Sequence, residues 1–411
     1  MTAAIVTTFL VVYAGMILGG LPFLQLDRTG VALLGAIVLI SFDALSLEEA
    51  ANAVHMPTVI LLFAFMVMSA QLRLGGFYEW VTSRLVARGG SPSLMLGSVI
   101  FVIAGLSAVF SNDIICLAAA PVLIAACRRR KLDPVPFLLA LACAANIGSA
   151  ATLIGNPQNI LIGQTLRLSF AGYAMEAALP VVLGLFVCWA VIVWQVHGRW
   201  WSTAIDSPAA SESSRPASPL DLWQTIKGLT IAAILVAAFL FTSWPREHVA
   251  LTAAGLLLMS RKLHSRRMLG LVDWELLVLF IGLFVVNHAL QETNVLPRVI
   301  AYFAQAGVYL EHPAPLFGAT FLLSNMVSNV PAVMLLLPLA REPLAGPMLA
   351  LVSTLAGNLL IVGSIANIIV VDAAARHNIT ISWARHARIG VPVTLATLAI
   401  TASYLWIRGA G

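Results

Sequence analysis

The chain of 411 residues is 60% hydrophobic and only 10% charged, whereas a soluble domain carries roughly 25% charged and roughly 45–50% apolar residues. This composition describes an integral membrane protein, and the unbroken apolar runs exclude a β-barrel, whose strands would alternate apolar and polar residues. The formal charge of +5 would suggest nucleic acid in a soluble chain, but here the basic residues occupy short loops between apolar runs, where they act as topology signals. No nucleic-acid partner is expected; the partner is the lipid bilayer.

The first apolar run, 3–20, lacks a basic leading region and a clear small-residue cleavage site, so a retained helix is expected. The runs 57–71, 177–196 and 222–241 each fit one helical crossing of a hydrocarbon core about 30 Å thick. The loop 41–55 contains Asp43, Glu48 and Glu49 but no Lys or Arg, and it is assigned to the outer side. Alternating from there, the loops on the opposite, cytoplasmic side hold 18 of the 23 basic residues, as the positive-inside rule demands. That distribution requires 93–127 to enter and leave from the cytoplasmic face and 313–340 to do the same from the outer face. Both are expected to be re-entrant hairpins, a backbone tolerated only inside protein or beside a water-filled cavity. The stretch 198–221, rich in Ser, Pro and Ala, has linker composition. It divides the chain into a first repeat, 1–197, a cytoplasmic linker and a second repeat, 222–411.

The repeats are visible in the sequence itself. Ser111-Asn112 followed by Pro121 recurs as Ser328-Asn329 followed by Pro338, displaced by 217 residues, and the run 59–67 falls on 276–284 at the same displacement. Further on, Gly155-Asn156-Pro157-Gln158-Asn159 matches Gly363-Ser364-Ile365-Ala366-Asn367 at a displacement of 208. Five crossings and one hairpin per half make the copies inverted, and inverted repeats with broken helices mark secondary transporters. Four breaks are therefore the candidate substrate and ion site: Ser111, Asn112 and Asp113; Thr152, Gly155, Asn156, Pro157 and Asn159; Ser328 and Asn329, with Pro331; and Gly363, Ser364 and Asn367. Asn and Ser are short enough to cap a half-helix or meet an ion, Gly permits close backbone approach, and Pro157 and Pro331 are expected to interrupt the helical ladder.

At these residues the chain resembles the ion transporter superfamily with the citrate-transporter-like domain. That superfamily includes bacterial arsenite permeases, sodium/proton antiporters of the NhaD type and divalent anion:sodium symporters. The symporters carry Ser-Asn-Thr at each hairpin tip; here the third position is Asp113 in one half and Val330 in the other. This looks more like the arsenite permeases and related anion permeases. The resemblance implies an all-α polytopic membrane protein with about ten transmembrane helices and two re-entrant hairpins in two inverted repeats. It also implies a homodimer, a multi-pass position in the cell inner membrane, and a separate soluble ATPase partner for any ATP-driven arsenite exporter.

Asp113 is the one acidic residue placed well inside the bilayer, and an intramembrane carboxylate is by default a functional candidate. It is the expected proton-coupling group. Asp273 and Glu275 read as interfacial, as does His288. Cys116, Cys127, Cys143 and Cys188 read as buried structural thiols, with no metal or redox spacing. No catalytic constellation appears, so no enzyme is expected. The expected function is gradient-coupled transport of a small inorganic solute or anion, with proton-coupled arsenite or antimonite efflux the leading case. Carboxylate or oxyanion permeation and sodium/proton antiport are the alternatives. No cofactor is expected, only H+ or Na+ as the coupling ion.

Overall fold

A computed structural model describes residues 1–21, 24–87, 90–201 and 220–409. The first half contains α1 (Thr2–Leu18), α2 (Arg28–Ser41), the short α3 (Leu47–Ala53), α4 (Met56–Leu74), α5 (Phe77–Ala87), α6 (Pro92–Ser107), α7 (Asn112–Arg129), α8 (Pro134–Ser149), α9 (Pro157–Thr165) and α10 (Phe170–Val196). The second half repeats the order: α11 (Leu222–Phe241), α12 (Arg246–Leu258), the short α13 (Ser265–Leu269), α14 (Trp274–Gln291), α15 (Val295–Gln305), α16 (Pro313–Val327), α17 (Asn329–Leu336), α18 (Ala345–Ala356), α19 (Ile365–Arg376) and α20 (Trp383–Gly409). Each helix α1–α10 thus has a counterpart ten places later, down to the short third helix. A two-residue β-ribbon, Gly20–Leu21 against Leu26–Asp27, joins α1 to α2.

Among the described residues, five helices, α4, α10, α11, α14 and α20, are individually long and apolar enough to cross a bilayer. The remaining apolar helices are shorter. In each half, four helices run without a break (α1, α2, α4 and α10; α11, α12, α14 and α20), and a fifth is split into α8/α9 or α18/α19. The hairpins are α6–α7 and α16–α17. The linker expected at 198–221 falls largely on 202–219, outside the described residues. At its edges the Asp133 N–H donates to the Trp200 carbonyl at 2.8 Å, and Asp221 caps α11 by accepting from the Gln224 N–H at 3.2 Å.

Packing repeats across the halves as the order does. Helix α2 packs on α14 and α12 packs on α4; α1 lies against α2 and α14, and α11 against α12 and α4. A second group centres on the split helices, with α6 and α7 on α8, α16 and α17 on α18, and α10 against α20. Every residue of α18 is buried, as is every residue of α8 after Pro134. Helices apolar all round belong inside, which is why these two show no amphipathic stripe. Helix α8 meets α6 backbone to backbone: a Cβ at Gly148 would lie 2.3 Å from Ala104 Cα. Small residues at such crossings allow helices to associate where lipid gives them no hydrophobic incentive.

The loop charges meet in the pairs their assigned sides allow. Arg385 pairs with Asp133 and Arg128 donates to the His377 carbonyl at 2.6 Å, all in loops or helix ends on the side assigned to the cytoplasm. On the other side, Arg408 pairs with Glu176, Arg246 donates to the Leu168 carbonyl, and Arg341 lies 3.2 Å from Glu311.

One local expectation fails. Pro157 and Pro331 do not interrupt helices; Pro157 opens α9 and Pro331 sits in the first turn of α17. A proline there costs nothing, because the N–H groups of a first turn have no helical acceptor. The breaks lie in the residues just before them.

Candidate functional site

The two split helices end in the same way. In the first break, Asn156 stands at the N-cap of α9 and its Oδ1 accepts from the Asn159 N–H at 2.9 Å. In the second, Ser364 stands at the N-cap of α19 and its Oγ accepts from the Ala366 N–H at 3.2 Å. The amide of Asn159 then braces its break by donating to the Thr152 and Ser149 carbonyls at 3.1 and 3.4 Å. Asn367 does the same to the Leu360 and Gly357 carbonyls at 3.0 and 2.8 Å. These partners are related by the displacement of 208 that relates the asparagines. Gly155 is required because a Cβ would fall 2.3 Å from the Ser149 carbonyl oxygen and 2.8 Å from that of Ser107; at Gly363 the closest approach is 3.1 Å.

The breaks also bond to helices of the opposite half. Asn146 on α8 is 3% exposed, and its Nδ2 donates to the Asn358 and Asn367 side-chain oxygens at 2.8 and 3.3 Å. Its Oδ1 accepts from Ser364 Oγ at 2.8 Å and from Asn112 Nδ2 at 3.4 Å. Thr354 on α18 occupies the equivalent place: its Oγ1 accepts from Asn156 and Gln158 at 3.0 and 3.2 Å and donates to Asn159 at 3.4 Å.

The hairpin tips are less alike. Ser111 precedes α7 without a side-chain capping bond; its N–H donates to Ser69 Oγ on α4 at 3.2 Å. Ser328, between α16 and α17, adopts φ +82° and ψ 158° and also makes no side-chain cap. Near it, Tyr13 on α1 donates to Asn287 on α14 at 2.9 Å and to the Pro331 carbonyl at 3.4 Å. Asn329 Oδ1, Asn325 Oδ1 and Ser324 Oγ are buried without a hydrogen-bond partner among the described residues. Thr152 ties the first break to the first hairpin by donating to the Ala108 carbonyl.

A cavity of about 80 Å³ opens where the first hairpin tip meets the first break. Its polar lining is Ser111, Asn112, Asp113, Asn156 and Asp273; the rest is mainly apolar, including Leu62, Phe65 and Ile160, and none of the lining residues is basic. Asp113 lies in the first turn of α7 and has no ion-pair partner among the described residues. Asp273, expected at the interface, is exposed and caps α14 by accepting from the Leu276 N–H at 2.9 Å, and it also lines the same cavity as Asp113. An acid before a helix start is usually only a cap, so nothing in the sequence signalled the second place.

Of the residues anticipated, Ser111, Asn112, Asp113, Gly155, Asn156 and Pro157 converge on this cavity. Asn159, Ser364 and Asn367 join the amide network, and Asn156 belongs to both. Ser328 and Asn329 lie at the second tip and do not line this cavity. The sequence reading missed Asn146, Thr354, Asn358, Gln158 and Asp273. A signal existed for the first pair: Asn146 and Thr354 are related by 208 and are polar residues in helices otherwise almost wholly apolar. The four cysteines are free and buried, as expected.

Fold and site together define a multi-pass membrane transporter whose helices are broken in pairs. The chain belongs to the citrate transporter family (CitMHS), whose model matches residues 11–356. It is 29% identical to the 46 kDa membrane protein of Mycobacterium leprae over 99% of both chains, and 29% identical to the silicon efflux transporter LSI3 of Oryza sativa subsp. japonica over 92% of both. Its fold is like that of the Alcanivorax borkumensis YdaH transporter, with a TM-score of 0.55 at 14% identity, covering 100% of this chain and 98% of that one.

Proposed function

We propose that the protein is a proton-coupled exporter of a small uncharged inorganic hydroxy acid, with arsenite, As(OH)3, the leading substrate. The observation that carries this reading is the lining of the cavity at the first hairpin: side-chain amides, a hydroxyl and two carboxylates, with no basic residue. Citrate or another polyanion would meet Asp113 and Asp273 with no cation to offset them, at an interaction cost that rises steeply away from water. A neutral hydroxy acid instead donates its O–H groups to carboxylate and amide oxygens while its own oxygens accept from amide N–H groups. A cavity of about 80 Å³ suits a solute of that size better than a tricarboxylate.

Asp113 is the proton-coupling carboxylate in this reading: it lines the cavity with no ion-pair partner among the described residues, and a proton it carries can be exchanged for solute as access alternates. Asp273 precedes α14, directly after the basic loop Arg261–Arg267 assigned to the cytoplasm, so the cavity is where solute loads from inside the cell.

Arsenite uptake into everted vesicles, with and without an imposed proton gradient, tests this beside citrate, succinate, sulfate and phosphate. Gradient-driven accumulation of arsenite alone is expected, and Asp113→Asn is expected to reduce it at least tenfold at equal amounts of folded protein in the membrane. Citrate accumulation with arsenite silent would overturn the reading. Silicic acid, also uncharged and rich in hydroxyls, is the second reading, favoured by the rice relative named for silicon efflux.

A further inference from the structure

The amide network contains something the cavity does not explain. Each split helix, besides bracing its own break, reaches across the molecule to the break of the other half. Asn146, in the first half, bonds Asn358, Ser364 and Asn367 of the second break; Thr354, in the second half, bonds Asn156, Gln158 and Asn159 of the first. Both residues are buried. Only Asn146 also reaches a hairpin tip, through Asn112, and Asn112 lines the cavity with Asp113. Both side-chain N–H donors and both acceptor positions of the Asn146 amide are thereby used.

We propose that Asn146 and Thr354 are positioning residues forming a crossed clasp, so that each break takes its shape from a residue of the opposite half. This rests on the reading of the breaks as the transport site. Buried polar networks of this kind hold one geometry because every alternative leaves an unpaired group away from water. The consequence is directional: loosening Thr354 frees the first break, and loosening Asn146 frees the second break and the first hairpin tip.

Hydrogen–deuterium exchange of the purified full chain in detergent tests the clasp without needing the substrate. Thr354→Val keeps shape and removes the hydroxyl; Asn146→Leu removes the amide. With Thr354→Val, exchange at the N–H groups of 158–161 in the opposite half is expected to rise about tenfold, while 364–368 stays unchanged. With Asn146→Leu, 364–368 and 112–114 are expected to accelerate and 158–161 to hold. Should Asn146→Leu fail to fold, the milder Thr354→Val decides the question. Acceleration confined to the mutated residue's own half, or no acceleration, would overturn the proposal.

A transport measurement separates positioning from mere structural support. For whichever solute the vesicle panel identifies, Thr354→Val is expected to raise KM about tenfold with little change in maximal rate, and Thr354→Ser to restore it within about twofold. Failure of Thr354→Ser to rescue KM would assign Thr354 a packing role and remove it from the clasp. If no solute in the panel moves, the substrate reading fails while the exchange measurement still tests the clasp.

Discussion

At Gly155 the physical demand is explicit. A methyl group there would collide with the carbonyl oxygens of Ser149 and Ser107 at 2.3 and 2.8 Å, and backbone on both sides cannot yield as a side-chain tip can. Gly155→Ala is therefore expected to destabilise the folded protein by about 1–3 kcal/mol, measured as a fall in its unfolding temperature in detergent. Gly363→Ala, with its closest approach at 3.1 Å, should cost clearly less; equal effects would show that the second break is as tight as the first. The need for glycine at both positions was legible from the paired motif, and the asymmetry between them was not, because it depends on carbonyls brought close only by folding. Asp273 makes the same point. Its place before a helix start was readable, but its place in one cavity with Asp113 depends on how α14 and α7 both pack against α4.

Among the elements, the two hairpins differ in how their tips are held. Ser111 has a negative φ of −56° and a hydrogen bond to α4, whereas Ser328 adopts φ +82° and ψ 158°, a region that is essentially reserved for glycine and costs about 1–3 kcal/mol otherwise. Ser328→Gly is expected to stabilise the protein by about 1 kcal/mol, read as a higher unfolding temperature. A lower temperature would mean that the serine side chain supplies more than the strained backbone costs. The distribution of basic residues located both hairpins and their limits to within a few residues, and the Ser-Asn repeat with a proline further on marked their tips. That repeat gave the tips the same appearance, because a sequence motif carries no record of backbone angles. Pro331 was misread for a related reason: proline blocks a helix interior yet is welcome in a first turn, and which of the two applies depends on where the preceding break falls.

On the scale of the molecule, the halves are interlocked. Helices α2 and α14, and α12 and α4, pack across the repeat boundary, and the clasp joins the breaks crosswise. Neither half buries its split helix alone. Co-expression of two fragments divided within 202–219 is expected to yield an assembled protein that co-purifies, while either fragment alone aggregates or is degraded. Stable, monodisperse production of a single half would contradict the interlock. The composition, the distribution of basic residues and the two displacements, 217 and 208, already specified a membrane protein of paired crossings, hairpins and breaks. They could do so because hydrocarbon forces each spanning segment to satisfy its own backbone, leaving length, polarity and charge to announce it. Tertiary structure alone decided that each break also bonds the opposite half, through Asn146 and Thr354, and that two carboxylates share one cavity. Those are meetings between residues far apart in the chain, fixed by helix packing, and no local pattern encodes which polar side chain in an apolar helix will find which partner.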